Sequence, residues 1–313
     1  MALHLVTGGA GFIGSSITEA LLAKGESVRI LDDFSSGRRQ NLESMAGRFE
    51  LVEGSITDPE AVARAMRGVE VVFHEAAVPS VQRSVVAPQA SIFAGVQGTT
   101  VVLDVARHSG VKRVVFAGSS AVYGDNPTLP RVETIAPSPL SPYAVSKASG
   151  EQLMRIFAGL YGLETLTLRY FNIFGPRQDP KREYASAIPN FIMAAIDKKR
   201  PVVFGDGEQT RDFCYVGNVV EANLLAASSP RKLAGQIVNI GSGERVSLNQ
   251  LLKIIGDLAG APLAPEYRER RSGDMRDTLA DTNAARELLG FEPRVDLREG
   301  LRLTYEAFLG SAR

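Results

Sequence analysis

The chain has 313 residues, enough for one large domain or for two smaller domains that share a cleft. It carries 35 basic residues (Lys and Arg) and 35 acidic residues (Asp and Glu), so the formal net charge is zero, which argues against a nucleic-acid or polyanion binder. A single cysteine, Cys214, excludes an intramolecular disulfide. No apolar run reaches the roughly 18 residues of a membrane span, and a predicted strand at residues 3–6 leaves no room for a signal peptide, so we expect a cytoplasmic protein.

Short apolar runs alternate with helical patterns along the first half of the chain. The predicted strands are 3–6, 27–31, 49–52, 69–73, 113–117 and 164–169, and the predicted helices are 12–23, 59–66, 89–108 and 142–160. This alternation is typical of an α/β protein whose parallel sheet is covered on both faces.

The pattern loosens after residue 170. A loop at 174–190 is rich in Gly, Pro, Arg and Asp, and the remaining segments predict short strands near 202–203 and 237–238 and helices near 190–198, 217–227, 248–258, 283–289 and 298–309. We therefore predict a first domain at 1–170 and a smaller C-terminal α/β lobe at 171–313, with re-entry of the chain into the first domain left open.

A glycine-rich loop lies between the first predicted strand and the first predicted helix. Its glycines fit two patterns, Gly9-x-Gly11-x-x-Gly14 and Gly8-x-x-Gly11-x-x-Gly14. Such glycines allow a tight turn and let a dinucleotide pyrophosphate approach the helix N-terminus. Asp32 ends the next strand, where its carboxylate can accept a hydrogen bond from a ribose 2′-hydroxyl and would repel a 2′-phosphate. These residues predict a Rossmann-type doubly wound sheet that binds NAD.

Two serines follow the strand predicted at 113–117. Ser119 and Ser120 lie in the segment Gly118–Gly124, at the carboxyl edge of the sheet where ligands collect. A hydroxyl at this edge could bind a substrate oxygen and relay a proton. The alternative is that both hydroxyls only satisfy the backbone of a turn.

Tyr143 and Lys147 lie four residues apart on a predicted helix, and therefore on one helix face. A tyrosine titrates near ~10, and a neighbouring ammonium lowers its pKa toward the value of a useful general base. A shift of ~3 units needs ~4 kcal/mol, so we expect a second cation, such as an oxidised nicotinamide ring, to contribute. The pair alone is a weak signal, because many helices carry it by chance.

In order and spacing, the glycine loop, the Ser119 segment, the Tyr143/Lys147 pair and the run Arg169-Tyr-Phe-Asn172 resemble the extended short-chain dehydrogenase/reductase family. Within that family the chain is similar to the NAD-dependent nucleotide-sugar 4-epimerases. Segments 175–179, 205–213 and 271–274 are similar to the UDP-glucose and UDP-N-acetylglucosamine 4-epimerases. The resemblance covers residues 3 to about 309.

The resemblance implies roles for individual residues. The implied catalytic residues are Ser119, Tyr143 and Lys147. The implied NAD contacts are Gly8, Gly11, Phe12, Ile13, Gly14, Asp32, Asp33, Ser35, Ser36, Gly37, Ser55, Ile56, Ala76, Ala77, Tyr143, Lys147 and Tyr170. The implied UDP-sugar contacts are Ser80, Ser119, Ser120, Tyr143, Asn172, Gln178, Arg211, Arg271, Asp274 and Thr278, of which the two arginines would clamp the diphosphate.

The resemblance has further implications. It implies a homodimer through the helices at 89–108 and 142–160. The position that is a bulky tyrosine in epimerases restricted to non-acetylated sugars matches Thr278, so the sugar pocket should admit an N-acetyl group. The chain departs from the family at Gly95, where an asparagine is common, and at Ser55, near a common acid. No metal is expected, since none of the three histidines has other metal-ligating residues at a suitable spacing in the sequence.

Three functions remain in competition. C4 epimerisation of a UDP-hexose fits all the motifs. A 4,6-dehydratase needs a carboxylic acid after the catalytic hydroxyl residue, where this chain has Ser120-Ala121; a decarboxylase or reductase of the same family stays an alternative. A non-catalytic dinucleotide sensor would be expected to have lost the Tyr143/Lys147 pair, which is intact. The sequence favours the epimerase and leaves the physiological sugar open.

Overall fold

The secondary structure alternates between strands and helices along most of the chain. The computed structural model describes residues 2–180, 186–270 and 276–311. The strands are β1 Leu3–Thr7, β2 Ser27–Asp32, β3 Glu50–Glu53, β4 Val71–His74, β5 Arg113–Ser119, β6 Glu164–Tyr170, β7 Ile173–Phe174, β8 Val202–Phe204, β9 Thr210–Arg211, β10 Cys214–Tyr215, β11 Ala234–Ile240, β12 Val246–Ser247 and β13 Glu266–Arg268. The helices are α1 Phe12–Ala23, α2 Pro59–Met66, α3 Val81–Val86, α4 Pro88–Ile92, α5 Thr99–His108, α6 Pro142–Tyr161, α7 Ala187–Ile196, α8 Val216–Ser228, α9 Leu248–Ala259, α10 Asn283–Leu289 and α11 Leu297–Ser311.

A seven-stranded sheet forms the centre of the fold, in the order β11-β6-β5-β4-β1-β2-β3. All of its neighbouring strands pair in parallel. The strand order reverses between β1 and β4, and open α/β sheets bind ligands in the crevice at this reversal, outside the carboxyl ends of the strands. The predicted α/β class with a Rossmann-type doubly wound sheet is confirmed.

Both faces of the sheet are covered, as the continuous apolar strands require. Leu5 and Val6 are neighbours on β1 and fully buried, yet they belong to different hydrophobic clusters because successive side chains point to opposite faces. Helices α1, α8 and α10 cover the face of Val6. Helices α2, α5 and α6 cover the face of Leu5.

The chain re-enters the large sheet after the predicted boundary at residue 170. Strand β11 pairs with β6 through Val238 and Leu168, so the strand expected near 237–238 belongs to the large sheet and not to the second lobe. The periodicity of a strand identifies a buried run but cannot identify its neighbour. The second lobe has its own core, built from α7, α9 and α11 and including Phe174, Phe191 and Leu251.

The helix predicted at 89–108 is interrupted by a π-helical segment at Phe93–Gly98, between α4 and α5. Gly95 lies in this segment, and a Cβ atom there would stand 2.6 Å from the Cβ and Oγ atoms of Ser146 on α6. An asparagine at position 95 would therefore collide with α6. The close approach of the two helices explains why this chain has a glycine.

The helices in the described ranges include none that is both long and apolar enough to cross a membrane.

Candidate active site

A cavity of about 860 Å³ opens at the carboxyl edge of the sheet, where the strand order reverses. It is lined by most of the residues that the sequence implied for the cofactor. These are Gly8, Gly11, Phe12, Ile13, Gly14, Asp32, Asp33, Ser35, Ser36, Gly37, Ser55, Ile56, Ala76 and Ala77, together with the implied substrate residues Ser80 and Gln178.

The glycine loop forms a cradle against the end of β4. Gly8 has a φ of +68°, and a Cβ atom there would lie 2.8 Å from the Cα atom of Ala76, so neither the conformation nor the space suits a side chain. A side chain on Gly14 would overlap the Gly8 carbonyl oxygen. Helix α1 begins beyond Gly11 without a side-chain cap, which leaves its first amides to bind an anion.

Asp32 ends β2 at the far side of this cradle. Its carboxylate accepts hydrogen bonds from the backbone amides of Ala10 (2.9 Å) and Phe34 (2.8 Å). Burial raises the pKa of Asp32, and these two hydrogen bonds lower it again. Gly37 lies so close that a Cβ atom would stand 2.8 Å from Asp32 Oδ1, so the loop wraps around the carboxylate. An acceptor with spare lone pairs, held here, fits the ribose of NAD.

Backbone strain is concentrated around the cavity. Four non-glycine residues of the described chain have positive φ angles: Phe34 (56°), Ser80 (124°), Asn172 (32°) and Lys198 (55°). The first three are implied site residues or their direct neighbours. Strained backbone conformations cluster at functional sites, because the surrounding structure must hold them in place.

Ser119 and Tyr143 lie close together near Glu75, which lines the cavity; Ser119, Tyr143, Lys147 and Tyr170 are not themselves among its lining residues. Ser119 ends β5, and its Oγ atom accepts a hydrogen bond from the Ala121 amide (3.2 Å). Tyr143 lies in the first turn of α6, which starts at Pro142 and is capped by the Ser141 hydroxyl, an acceptor for the Ala144 amide (3.2 Å).

Lys147 lies one turn further along α6 and is buried. Its Nζ atom donates to the Ala117 carbonyl oxygen of β5 (2.7 Å) and lies 5.8 Å from the centre of the Tyr143 ring. A lysine held by a strand carbonyl is a fixed positive charge beside the phenol.

The charges around Tyr143 do not make it a base by themselves. Burial raises the pKa of Tyr143, the Ser119 hydroxyl lowers it, and the charge of Glu75 raises it. Burial also lowers the pKa of Lys147 to about 8, against the carboxylates of Glu75 and Glu151. Desolvation of the phenolate is the larger effect in the protein alone, so a second cation, such as an oxidised nicotinamide ring, is still expected to contribute.

Glu75 is a site residue that the sequence reasoning missed. It follows β4 directly, lines the cavity, and accepts a hydrogen bond from the hydroxyl of Tyr170 (2.8 Å). Burial raises the pKa of Glu75 to about 7, although the Tyr170 hydrogen bond and Lys147 lower it. Its position at the carboxyl end of a buried strand was the available signal.

Four of the described residues implied for the substrate follow β6 in the chain: Asn172, Gln178, Arg211 and Thr278. Asn172 Nδ2 donates to the Asp212 carbonyl (2.9 Å) and to Thr278 Oγ1 (3.1 Å). Thr278 is only 3% exposed, and neither Thr278 nor Asn172 lines the cavity described above. Arg211 donates to the carbonyls of Thr210 (2.9 Å) and Arg276 (3.0 Å).

The remaining implied residues are placed as follows. Gln178 Nε2 donates to the Ile173 carbonyl (3.2 Å), while its buried Oε1 atom has no partner among the residues described. Ser55 Oγ bonds Thr57 Oγ1 (3.0 Å) within its own turn. Ser120 is buried beside Ser119. Arg271 and Asp274 lie outside the described residues, so their implied roles stay predictions.

No cluster of three His, Cys, Asp or Glu residues in the described part of the chain could hold a metal ion.

Comparison with known proteins agrees with this geometry. The family model described as "NAD dependent epimerase/dehydratase family" matches residues 4–241. The UDP-glucose 4-epimerase of Mycolicibacterium smegmatis is 41% identical over 308 residues, which cover 97% of each chain.

Two solved structures are similar over nearly the whole chain. A UDP-glucose 4-epimerase of Thermotoga maritima with UDP-glucose has a TM-score of 0.94 at 39% identity and covers 99% of this chain and 100% of its own. A UDP-N-acetylglucosamine 4-epimerase of Methanobrevibacter ruminantium M1, in complex with UDP-N-acetylmuramic acid, has a TM-score of 0.94 at 36% identity and covers 99% of each chain. The glycine cradle, the buried Tyr143/Lys147 pair and these matches confirm the resemblance: the chain belongs to the NAD dependent epimerase/dehydratase family.

Proposed function

We propose that the protein inverts the C4 configuration of a UDP-hexose through a 4-keto intermediate, with NAD as a cofactor that is regenerated in each cycle. The observation that carries this proposal is the grouping of Ser119, Tyr143 and Lys147 near Glu75, which lines a cavity that fits a dinucleotide.

The cavity residues fit NAD. The free amides at the start of α1 would bind the pyrophosphate, and Asp32 would bind the adenosine ribose. Gly8 and Ala76 both line the cavity, so the ligand can approach their backbone closely. When bound, NAD supplies the acceptor, and later the donor, of the C4 hydride.

Residues of the chain transfer the proton of the 4-hydroxyl. Tyr143 takes the proton of the 4-hydroxyl, directly or through Ser119, whose hydroxyl is near enough to lower the pKa of the phenol. Lys147 stays fixed by the Ala117 carbonyl and stabilises the phenolate by its charge. The 4-keto sugar then rotates in the site, so that the hydride returns to its other face. Tyr143 returns the proton to the same oxygen. No group is consumed, so NAD should remain bound between turnovers.

The substrates we propose are UDP-glucose with UDP-galactose, and UDP-N-acetylglucosamine with UDP-N-acetylgalactosamine. The similar solved enzymes carry the names of both the plain and the acetylated sugar. Thr278 supports the wider range, since it is much smaller than tyrosine. A 4,6-dehydratase is disfavoured, because Ser120 and Ala121 supply no carboxylic acid next to Ser119.

The test uses the purified protein without added NAD. UDP-glucose, UDP-N-acetylglucosamine and UDP-glucuronic acid are incubated separately, and the products are identified by NMR. We expect galacto-configured products from the first two, and NAD in the supernatant after denaturation of the protein. Tyr143→Phe should be inactive, whereas Tyr161→Phe, at the exposed end of the same helix, should be active.

Other products would indicate a different reaction. Loss of water or of carbon dioxide from a substrate would replace the epimerase by a dehydratase or a decarboxylase. Recovery of NADP, or of no nucleotide under conditions that retain tight ligands, would contradict the cofactor assignment.

The proposal includes a cytoplasmic homodimer. Val101 and Phe157, apolar residues of the two helical regions implied for the pairing, are buried in the protomer's own core. The same helical regions instead expose Phe93 (58%), Ile156 (49%) and Leu160 (73%). Ile156 and Leu160 are four residues apart on α6 and therefore share one face. An exposed apolar stripe of this kind supports pairing with a second copy.

A further inference from the structure

Glu75 is held firmly from the side opposite the cavity. Tyr170 donates its hydroxyl hydrogen to Glu75 Oε1 (2.8 Å), and Asn223 on α8 donates its Nδ2 hydrogen to the same hydroxyl oxygen (2.8 Å). Asn223 is completely buried. This chain of hydrogen bonds fixes the carboxyl group and leaves it facing the cavity.

The groups around Glu75 belong mainly to the catalytic centre. Glu75 follows His74, which pairs with Phe116 on β5, and Lys147 of α6 donates to the carbonyl of the next residue, Ala117 (2.7 Å), with its Nζ atom 5.0 Å from the centre of the Phe116 ring. Lys147 and its neighbour Tyr143 therefore approach Glu75 from α6, and both feel its charge. Tyr170 faces it from β6 and stays a neutral phenol, because burial raises the pKa of Tyr170 well above its ordinary value. Near Tyr170, the Cys214 thiol of β10 is also neutral, since burial raises its pKa.

His74, the last residue of β4, directly precedes Glu75. His74 lies between Thr7 (2.8 Å) and Thr99 (3.1 Å) and is neutral, with its pKa lowered to about 3 by burial and by the charge of Lys147.

A second carboxylate near Lys147 is already neutralised. Glu151 lies one turn after Lys147 on α6 and receives two hydrogen bonds from Arg169, each 2.8 Å long. This paired arrangement compensates its charge inside the protein. In the described part of the chain Glu75 has no charged hydrogen-bond donor of this kind; its hydrogen bond comes from the neutral Tyr170. The charge of Lys147 is therefore offset mainly by Glu75.

We propose that Glu75 is a positioning residue of the catalytic centre, whose charge offsets that of Lys147 and so determines how readily Tyr143 gives up its phenolic proton. An ionised Glu75 opposes the phenolate directly and also neutralises the cation that stabilises it. When Glu75 is protonated, no negative charge at Glu75 offsets Lys147, and the positive charge of Lys147 stabilises the phenolate. This inference rests on the proposed function, because it assigns the base role to Tyr143.

The direction of the effect follows from the charges. The variant Glu75→Gln keeps an oxygen that can accept from Tyr170 but carries no charge. The pKa of Tyr143 should then fall, because the charge of Glu75 raises it. The pKa of Lys147 should also fall, because the same charge raises it. Both limbs of the pH profile of kcat/KM should move to lower pH, by about one unit for a neighbouring charge.

The first test is the pH profile of UDP-glucose epimerisation by the NAD-loaded enzyme and by Glu75→Gln. Glu75→Asp, which keeps the charge, should move the limbs little. Glu70→Gln is the matched control, since Glu70 is exposed, lies just before β4, and pairs with Lys112 (2.6 Å) at the opposite edge of the sheet. Unmoved limbs in Glu75→Gln, with only a lower kcat, would mean a purely structural role and would overturn the proposal.

The second test does not depend on activity. Phenolate absorbance is titrated in the wild type and in Glu75→Gln, each after subtraction of its own Tyr143→Phe counterpart, because the chain has eight tyrosines. We expect the Tyr143 titration to begin at lower pH in the glutamine variant. An identical titration would refute the inference even if the protein were not an epimerase.

A third variant covers the case in which Glu75→Gln does not fold. Tyr170→Phe removes the hydrogen bond that favours the ionised form of Glu75, so Glu75 should hold its proton to higher pH. The Tyr143 titration should then shift in the same direction as for Glu75→Gln, by a smaller amount. A shift to higher pH would contradict the proposed role of the Glu75 charge.

Discussion

His74 should make the protein unstable in mild acid. Its Nδ1 atom lies 2.8 Å from Thr7 Oγ1, and its Nε2 atom lies 3.1 Å from Thr99 Oγ1. Because Thr99 donates its own hydrogen to the Gly95 carbonyl (2.6 Å), it must accept from Nε2, and Nδ1 then accepts from Thr7. A second proton on His74 would force the Thr7 hydroxyl to turn its hydrogen away from Nδ1, and so would break this network.

The size of the effect follows from the pKa of His74, which burial lowers first and Lys147 lowers further, from 6.5 to about 3. Above the ordinary value both the folded and the unfolded chain carry a neutral imidazole. Between that value and about 3, only the unfolded chain binds the proton, so stability falls as the pH falls. At about pH 5 the loss amounts to roughly 2 kcal/mol, at 1.36 kcal/mol per pKa unit.

The variant His74→Gln removes this titration while its amide can still bond both threonines. We expect the variant to be less stable than the wild type near pH 7.5. Its further loss of stability between about pH 7.5 and pH 5 should be smaller than that of the wild type by roughly 2 kcal/mol. Urea unfolding of the NAD-free protein at the two pH values measures both quantities.

His108→Gln is the matched control, because His108 is an exposed histidine that contacts its own helix. It should leave the pH dependence of stability as in the wild type. Glu75 titrates in the same range with the opposite sign, but it is present in all three proteins and cancels in the comparison. If His74→Gln and the wild type lost equal stability, a buried neutral imidazole could not be the source of acid lability.

Two further predictions concern the proposed chemistry and assembly. Tyr143→Phe should lower kcat by about a hundredfold or more while calorimetry finds UDP-sugar binding retained, and Lys147→Ala should also impair turnover; near-normal kcat in Tyr143→Phe would mean that another group is the base. Ile156→Lys combined with Leu160→Lys should give a monomer mass by light scattering at micromolar concentration, whereas Leu51→Lys, on another surface, should leave a dimer; a monomeric wild type would contradict the dimer.

The sheet and the glycine cradle were predictable because their signals are local. The apolar runs that became β1 and β2, with the glycines and Asp32 after them, determine strand, turn and helix within about thirty residues. The order of the strands then brings their carboxyl ends together, so Ser119 could be placed at the same edge from the sequence alone.

The interactions that were missed join distant parts of the chain. Arg38 pairs with Asp179 (3.3 Å), and Arg177 pairs with Glu19 (2.7 Å), so the loop after β7 is tied to the first domain beside the cavity. Surface charges of this kind follow no periodic pattern. The proton balance at Glu75 was hidden for a different reason, since it depends on burial by several elements at once.

Thr278 requires a sharper test, because the structure gives it a second possible role. Its Oγ1 atom accepts hydrogen bonds from Asn172 Nδ2 (3.1 Å) and from the Asp212 amide (3.3 Å). A substitution here can change the size of the sugar pocket, or it can change the position of Asn172. The two effects differ in their dependence on the substrate.

A pair of variants separates them. We expect the wild type to epimerise UDP-glucose and UDP-N-acetylglucosamine with kcat/KM values within about two decades, or ~2.7 kcal/mol of transition-state binding. Thr278→Tyr should selectively remove activity on the acetylated sugar, because the ring needs the space beside C2. Thr278→Val keeps the size and loses the hydroxyl, so it should lower both activities by similar factors through Asn172. Equal losses on both sugars in the tyrosine variant would mean that Thr278 acts only by positioning Asn172. The explanation of the sugar range by pocket size would then be wrong.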